Sequence, residues 1–279
     1  MTQAPSSDSP SFLGRVLVLA GSDSGGGAGI QADIKTITAL GGYAATAITA
    51  VTVQNTLGVT GVHPIPLEVI EAQARAVLDD IGADAFKTGM LGDVGVVETV
   101  ARVLASAPQV PAVVDPVMIA KGGASLLAEQ AIDAVKSLMI PGAALLTPNA
   151  PEASALTGLS VETIDDQRRA GEALLALGAK AVLMKGGHVA NKSEKGIERV
   201  VDLLITPEGE TSFEGERIDT RHTHGTGCTL ASAIATGLSQ GLPLTDAVAR
   251  AWNYVHEAML RAPGLGKGHG PLDHAWPVR

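Results

Sequence analysis

Five short stretches of this 279-residue chain carry the residue types that hold and move charge. In the first, Gly21-Ser22-Asp23-Ser24-Gly25-Gly26-Gly27-Ala28-Gly29, backbone without side chains can turn tightly or approach a small ligand closely. It is not a Walker loop, since Gly26 is followed by Gly27 and Ala28 where Gly-Lys-Ser/Thr is required. It is not a dinucleotide fingerprint either, because Ile30 stands at the third glycine position. The second stretch, Arg221-His222-Thr223-His224-Gly225-Thr226-Gly227-Cys228, leads into an Ala/Ser/Thr-rich helix. Its glycines would bare successive N–H groups at a helix N-terminus, where an anion is favoured and charge on a transferred phosphoryl group could be stabilised. Cys228 would lie in the first helical turn, where a thiol's pKa tends to fall. Read alone, it is equally a small buried cysteine beside a glycine cap. His222, His224 and Cys228 lack a sensible fourth member for a zinc site.

The other three stretches bring acids and a lysine to strand ends. Asp115 precedes Pro116, and Thr147-Pro148-Asn149-Ala150-Pro151-Glu152 has the same setting. Carboxylates at two adjacent strand ends could hold Mg²⁺, directly or through its waters, although Glu152 also suits a helix N-terminus. In Lys185-Gly186-Gly187-His188 the lysine could meet a phosphate or cap the strand in solvent.

The elements that must position these groups alternate along the chain. Strands are expected over residues 15–20, 43–53, 83–87, 112–114, 143–146 and 181–184. Helices are expected over 30–40, 67–78, 94–104, 128–138, 151–156, 166–177, 228–238 and 244–260. Ile30, Ile34, Ile37 and Leu40 read as one apolar stripe. Residues 200–205 and 210–213 read as a hairpin about Pro207-Glu208-Gly209. Repeated βα units with short connections imply an α/β fold, with a mostly parallel sheet covered on both faces and an antiparallel edge at the hairpin. With seven aromatic residues (2 Trp, 2 Tyr, 3 Phe), the core must be built from Ala, Val, Leu and Ile. Residues 1–13 read as a mobile tail that is not a secretory signal, and 14–279 as one domain. The charge-poor stretches 36–67 and 224–245 are interrupted by Thr, Gln, Asn, Gly and Pro, so neither reads as a membrane span. A net charge of −9 speaks against a nucleic-acid surface, and the single cysteine permits no internal disulfide and suits the cytoplasm.

Together and in this order, the motifs resemble those of the ribokinase-like superfamily, and within it the hydroxymethylpyrimidine/phosphomethylpyrimidine kinases. The resemblance runs from about residue 16 to 274. It rests on AGSDSGGGAGIQADIKT (20–36), ITAVTVQNT (48–56), KTGML (87–91), DPVMIAKGG (115–123), TPNAPEA (147–153), MKGGH (184–188), HTHGTGC (222–228) and GKGHGP (266–271). It implies a three-layer α/β/α fold and ATP-dependent phosphorylation of 4-amino-5-hydroxymethyl-2-methylpyrimidine to its monophosphate and then its diphosphate, for thiamine diphosphate. By the same resemblance, Gln54 would read the pyrimidine's ring nitrogen and amino group, a donor–acceptor pair that an amide matches. Gly21, Ala28, Thr52 and Met90 would line the pyrimidine pocket, and Gly225, Thr226, Gly227 and Cys228 would form the anion hole. Glu152 would be the metal-associated acid, Lys185 a contact to the nucleotide phosphates, and Asp115 a residue near both metal and ATP. ATP as co-substrate, Mg²⁺ and a homodimer are implied in the same way.

Most of the superfamily resembles GTGD, with an aspartate as base, where this sequence has GTGC. A thiolate is a weak base near neutral pH if the helix end lowers its pKa. A loose transition state asks more of positioning than of deprotonation, and a phosphate monoester needs no base for the second transfer. A second departure is Ala120-Lys121-Gly122-Gly123-Ala124, where the family often reads Ala-Lys-Ser-Gly-Asp. This segment is expected to be a flap, so its closing contacts are affected and not the chemistry. The rival readings are a pyridoxal kinase, whose members in this subgroup can carry a second cysteine in the flap that this chain lacks, and a non-catalytic pyrimidine-binding regulator, which would not need the phosphate-handling groups. An NAD-dependent oxidoreductase would need the missing fingerprint.

Overall fold

The computed structural model describes residues 13–118, 126–189, 191 and 196–279. Residues 1–12 of the expected tail and the expected flap at 120–124 lie outside them.

Along β1 (Arg15–Asp23), Val16, Val18 and Ala20 alternate with Leu17 and Leu19, and all five are buried. A strand that buries both faces belongs in the middle of a covered sheet. There it pairs in parallel with β2 (Tyr43–Asn55) on one side and β4 (Ala85–Thr88) on the other. The remaining strands are β3 (Gly58–Pro64), β5 (Ala112–Val114), β6 (Leu145–Leu146), β7 (Val182–Met184), β8 (Arg199–Thr206) and β9 (Gly209–Glu216). They complete one nine-stranded sheet in the order β3-β2-β1-β4-β5-β6-β7-β8-β9. β2, β1, β4, β5, β6 and β7 run parallel, while β3 and β8 run antiparallel to their neighbours.

The alternation in β1 sorts the helices into two layers. Val16 and Val18, with Ala85, Val113, Leu145 and Leu183, pack under α1 (Gly29–Ala39), α7 (Thr226–Ser239) and α8 (Leu244–Leu260). Leu17 and Leu19, with Phe86, Val114, Leu146 and Met184, pack under five helices: α2 (Leu67–Asp80), α3 (Val94–Ala105), α4 (Glu129–Ala134), α5 (Ala150–Thr157) and α6 (Ile164–Ala176). This is the expected three-layer α/β/α fold. Full burial of a side chain such as Phe86 contributes about 2–3 kcal/mol against leaving it in water. Among the described residues no helix is long and apolar enough to cross a membrane.

Four expectations need correction. β1 continues three residues into the glycine stretch, because after a bulge Ser22 and Asp23 pair with Val51 and Thr52 of β2. β3 was not expected: Gly58, Gly61 and Pro64 hide its periodicity, and only the antiparallel ladder to β2 makes it a strand. In α1 Ile30 and Ile37 are buried but Ile34 is exposed, and the buried face carries Asp33 and Thr36 in its place. Finally, the helix expected over 128–138 is α4 followed by a π-helical turn, Val135–Met139, in which Ile140 donates to Val135 five residues back.

The chain's last segment straps the start of α7. His224 pairs with Pro271, Tyr254 donates its hydroxyl to the His274 carbonyl at 2.6 Å, and Thr229 hydrogen-bonds the His274 ring at 3.0 Å. Burial pushes the His274 imidazole down to about 4, so it is neutral near pH 7.

Candidate active site

From β1 the chain runs outward to β2 and β3, then returns to place β4 on β1's other side. The strand order therefore reverses between β1 and β4, and a crevice opens at the carboxyl ends of the strands. The cleft there has a volume of about 550 Å³. Gly21, Ala28, Thr52, Gln54, Met90, Asp115, Glu152, Lys185, Gly225, Thr226, Gly227 and Cys228 all line it, so the twelve residues given roles by the family resemblance meet in this one cavity, while His222 and Gly25–Gly27 do not line it.

One end is built around Asp23. Its carboxylate accepts the N–H groups of Gly25, Gly27 and Ala28 at 2.7, 3.1 and 2.8 Å, and lies 2.8 Å from His224 Nε2. The donors of the glycine stretch are thus directed at an internal carboxylate, which explains why it matches no phosphate-loop pattern. Burial opposes the charge on Asp23, but the His224 bond and the Ala28 and Gly25 N–H groups outweigh it and hold the carboxyl below its ordinary range. His224 Nε2 also lies 3.2 Å from the Gln54 amide, whose oxygen is 3.1 Å from the Thr52 hydroxyl. Thr52 in turn donates to the Ser22 carbonyl at 2.8 Å.

The same contacts explain two glycines. A Cβ on Gly29 would sit 2.4 Å from the Gly21 carbonyl oxygen, and one on Gly225 would sit 1.8 Å from that of Gly27. Both have positive φ, +55° and +82°. The start of α1 therefore packs on the end of β1, and the start of α7 on the glycine stretch, in each case backbone against backbone. The N–H groups of Gly227 and Cys228 lie in the first turn of α7, where no carbonyl of that helix can reach them.

Beyond the α7 N-terminus stands a charged cluster. Lys185 Nζ is 2.9 Å from Asp115 Oδ1 and 3.6 Å from Glu152 Oε2, and Thr147 donates to Asp115 Oδ1 at 3.0 Å. Glu152 also caps α5: its Oε2 accepts the Asn149 N–H at 2.8 Å while Asn149 Oδ1 accepts the Glu152 N–H at 2.9 Å. The helix-start reading of Glu152 therefore holds, and the same carboxylate also faces Lys185. Burial disfavours the Lys185 charge, but Asp115 and Glu152 outweigh it and raise the ammonium above its ordinary value. Gly227 sits beside this cluster, its Cβ direction leading to Lys185 Nζ at 3.3 Å and Asp115 Oδ2 at 3.5 Å.

Beneath the cleft floor Lys87 and Asp33 form an ion pair at 2.9 and 3.0 Å, with both side chains fully buried. Ser232 donates to Asp33 Oδ1 at 2.7 Å. Ser232 lies four residues after Cys228, on the same face of α7, so a buried charge pair stands one turn below the thiol. The Cys228 thiol does not behave as its helix position predicts. Burial pushes it up to about 11, and Asp33 and Asp115 add to this, against Lys87 and the Gly29 N–H, which pull it down. Desolvation outweighs Lys87 and the Gly29 N–H, and the thiol is protonated near pH 7.

One wall of the cleft is formed by α8, where the Trp252 and His256 rings stack at 5.4 Å and 12°; Val200, Ile218 and Met259 also line the cleft. No motif in the sequence marks this wall. Its only signal was two ring-bearing residues four apart on α8.

A parallel sheet whose successive strand ends bring an acid pair, a lysine and a glycine-started helix to one cleft defines a ribokinase-like small-molecule kinase. The family model described as phosphomethylpyrimidine kinase matches residues 23–273. A hydroxymethylpyrimidine/phosphomethylpyrimidine kinase of Streptomyces coelicolor is 49% identical over 94% of this chain and 95% of its own length. Among solved structures, a phosphomethylpyrimidine kinase of Clostridium difficile is 40% identical with a TM-score of 0.77, over 88% of this chain and 98% of its own. An ADP complex of Bacillus subtilis pyridoxal kinase is 35% identical with a TM-score of 0.87, over 96% and 100%. The chain belongs to the phosphomethylpyrimidine kinase family.

Proposed function

We propose that this kinase transfers the γ-phosphoryl group of ATP to the hydroxymethyl group of 4-amino-5-hydroxymethyl-2-methylpyrimidine, and then a second to the monophosphate, in thiamine diphosphate biosynthesis. The observation that carries this reading is that Gln54, Cys228 and Lys185 line one cavity, a pyrimidine-reading amide at one end and phosphate-binding charge in the middle. Gln54, with Gly21, Ala28, Thr52 and Met90, holds the ring. The stacked Trp252 and His256 offer a flat wall to the adenine. Lys185 and the N–H groups of Gly225, Gly227 and Cys228 face the transferred group, with Asp115 beside it, whereas the Thr226 N–H donates to the Thr223 carbonyl at 3.4 Å.

Asp115 and Glu152 suit Mg²⁺. They are two buried hard oxygen donors with only an ammonium between them, and Mg²⁺ commonly takes one or two carboxylates and keeps its waters. When bound, the metal supplies charge neutralisation on the phosphates. The chain's own groups do the rest. The substrate oxygen bonds to the γ-phosphorus as the bond to the β,γ-bridging oxygen breaks, and the N–H groups and Lys185 meet the charge on the phosphoryl oxygens.

With burial raising it to about 11, Cys228 is mostly thiol at pH 7.5 in the free cleft, and the thiolate is a small minority. We assign that minority form the proton of the hydroxyl in the first transfer, while the second transfer starts from an already ionised oxygen. Cys228→Ala is then expected to slow the first phosphorylation about ten- to a hundredfold and the second by less than about threefold. Equal loss in both steps excludes the base role.

Mass spectrometry of products from Mg-ATP with the pyrimidine, and with pyridoxal in a parallel tube, tests the whole reading. Successive mono- and diphosphate of the pyrimidine with little pyridoxal phosphate supports it. The pyridoxal kinase likeness makes the second tube necessary, and pyridoxal phosphate as main product would replace this function with that one. Tight pyrimidine binding without either product would make the chain a binder.

Three further points belong to this reading. We infer a homodimer, supported by Val51, Val53 and Leu57 exposed on the β2–β3 hairpin at 42%, 63% and 69%; a monomer in sedimentation at micromolar concentration would refute it. Residues 14–279 form one kinase domain, supported by a single hydrogen-bonded sheet; two separate unfolding transitions would refute that. The enzyme works in the cytoplasm, supported by its lone cysteine and its need for ATP; recovery outside that fraction of cells would refute it.

A further inference from the structure

Between Val200 and Ile205, β8 is apolar with one exception. Val201, Leu203, Leu204 and Ile205 are buried, and between them Asp202 is buried as well, 7% exposed on the cleft wall. A carboxylate at a place where valine or leucine would pack carries a desolvation cost, and burial pushes this one up to about 6. What it does there is visible in one contact. Its Oδ1 accepts the N–H of Gly186 at 2.6 Å.

Gly186 is the residue after Lys185, and its position is fixed from β8. A Cβ there would lie 2.0 Å from the Val201 carbonyl oxygen and 2.9 Å from the Val201 nitrogen. On the opposite side, the Lys185 N–H donates to the Pro148 carbonyl at 2.9 Å. Lys185 and Gly186 are therefore pinned between the loop after β6 and strand β8, and the lysine side chain leaves them toward Asp115.

We propose that Asp202 is a positioning residue for phosphoryl transfer, holding the Gly186 N–H so that the Lys185 ammonium is delivered to the cleft. This rests on the reading that Lys185 meets the nucleotide phosphates. Asp202 touches no reacting atom. It acts through the turn, and catalytic positioning is sensitive to displacements of about an ångström.

The test is a set of variants assayed for kcat, KM for ATP and thermal midpoint. Asp202→Val removes the acceptor and the buried carboxylate together. It is expected to lower kcat/KM for ATP about tenfold with a midpoint equal to or above that of the parent chain, a combination a merely structural residue would not give. Asp202→Asn keeps an acceptor for Gly186 and is expected to stay within about threefold of the parent chain. In a Lys185→Met background, Asp202→Val is expected to add no further loss, because both changes act on one group. If the valine chain does not fold, Asp202→Ser, too short to reach Gly186, takes its place. Unchanged kinetics in Asp202→Val, an asparagine variant as poor as the valine one, or losses that add to those of Lys185→Met would each overturn the inference and leave the Lys185 reading standing. Unchanged ATP kinetics in Lys185→Met alone would overturn both.

Discussion

Lys185→Met is expected to lower kcat/KM for ATP by two to three orders of magnitude, the range lost when one preorganised charge is removed from a developing anion. Methionine keeps much of the side chain's length and apolar stem, so packing around the 14%-exposed lysine is little changed and the loss reports the missing ammonium. A second effect should accompany it. In the free chain the ammonium lies between Asp115 and Glu152 at 2.9 and 3.6 Å, where a divalent cation would otherwise sit. Removing it leaves two buried carboxylates without their counter-charge, a costly arrangement that a cation relieves. Binding of Mn²⁺ without nucleotide, read by electron paramagnetic resonance, should therefore tighten at least tenfold in the variant, roughly the effect of one lost charge–charge contact at a partly solvated site. Mn²⁺ binding equal to that of the parent chain would show that Lys185 does not compete for this place. Activity within threefold of the parent would remove Lys185 from the phosphate site altogether.

Gly225→Ala is the second large effect. The new methyl group would stand 1.8 Å from the Gly27 carbonyl oxygen, and backbone at both positions resists moving: Gly225 starts α7, and the Gly27 and Ala28 N–H groups are held by Asp23. Relief of the overlap must separate the glycine stretch from the α7 N-terminus, stretching the His224–Asp23 contact and tilting the Gly227 and Cys228 N–H groups. Phosphorylation is expected to fall by more than about a hundredfold, and stability by about 3 kcal/mol from strain and overlap together. Gly241→Ala is the control. Its φ of +81° matches that of Gly225, but nothing lies within 4 Å of its Cβ direction. It should lose about 1 kcal/mol and keep full activity. Equal activity losses in the two variants would mean that backbone strain alone, not the packing of the two loops, governs the site.

The βα rhythm, the motif loops and the charge at strand ends were legible in the sequence because each depends on neighbours within a few residues. Alternating apolar residues in β1 require a strand covered on both faces. Asn149 and Glu152 announce a capped helix, and Lys185 after an apolar run stands at a strand's end. Twelve residues chosen this way, by type, position and resemblance, converge on one cavity.

What only the tertiary structure decided is how those groups are held and how they ionise. Asp23 and His224 meet across 201 positions of chain, and Gln54 and His224 across 170. No local pattern reports such a pair. β3 exists because β2 supplies its ladder, and Asp202 reads as a misplaced acid in an apolar strand until Gly186 is folded against it. The Cys228 thiol makes the same point with its sign reversed. Its place at a helix start argues for a lowered pKa, and desolvation by the surrounding chain raises it. A helix end acts over one turn and is visible in the sequence. Desolvation sums over everything packed around a group, and only the assembled chain defines what that is.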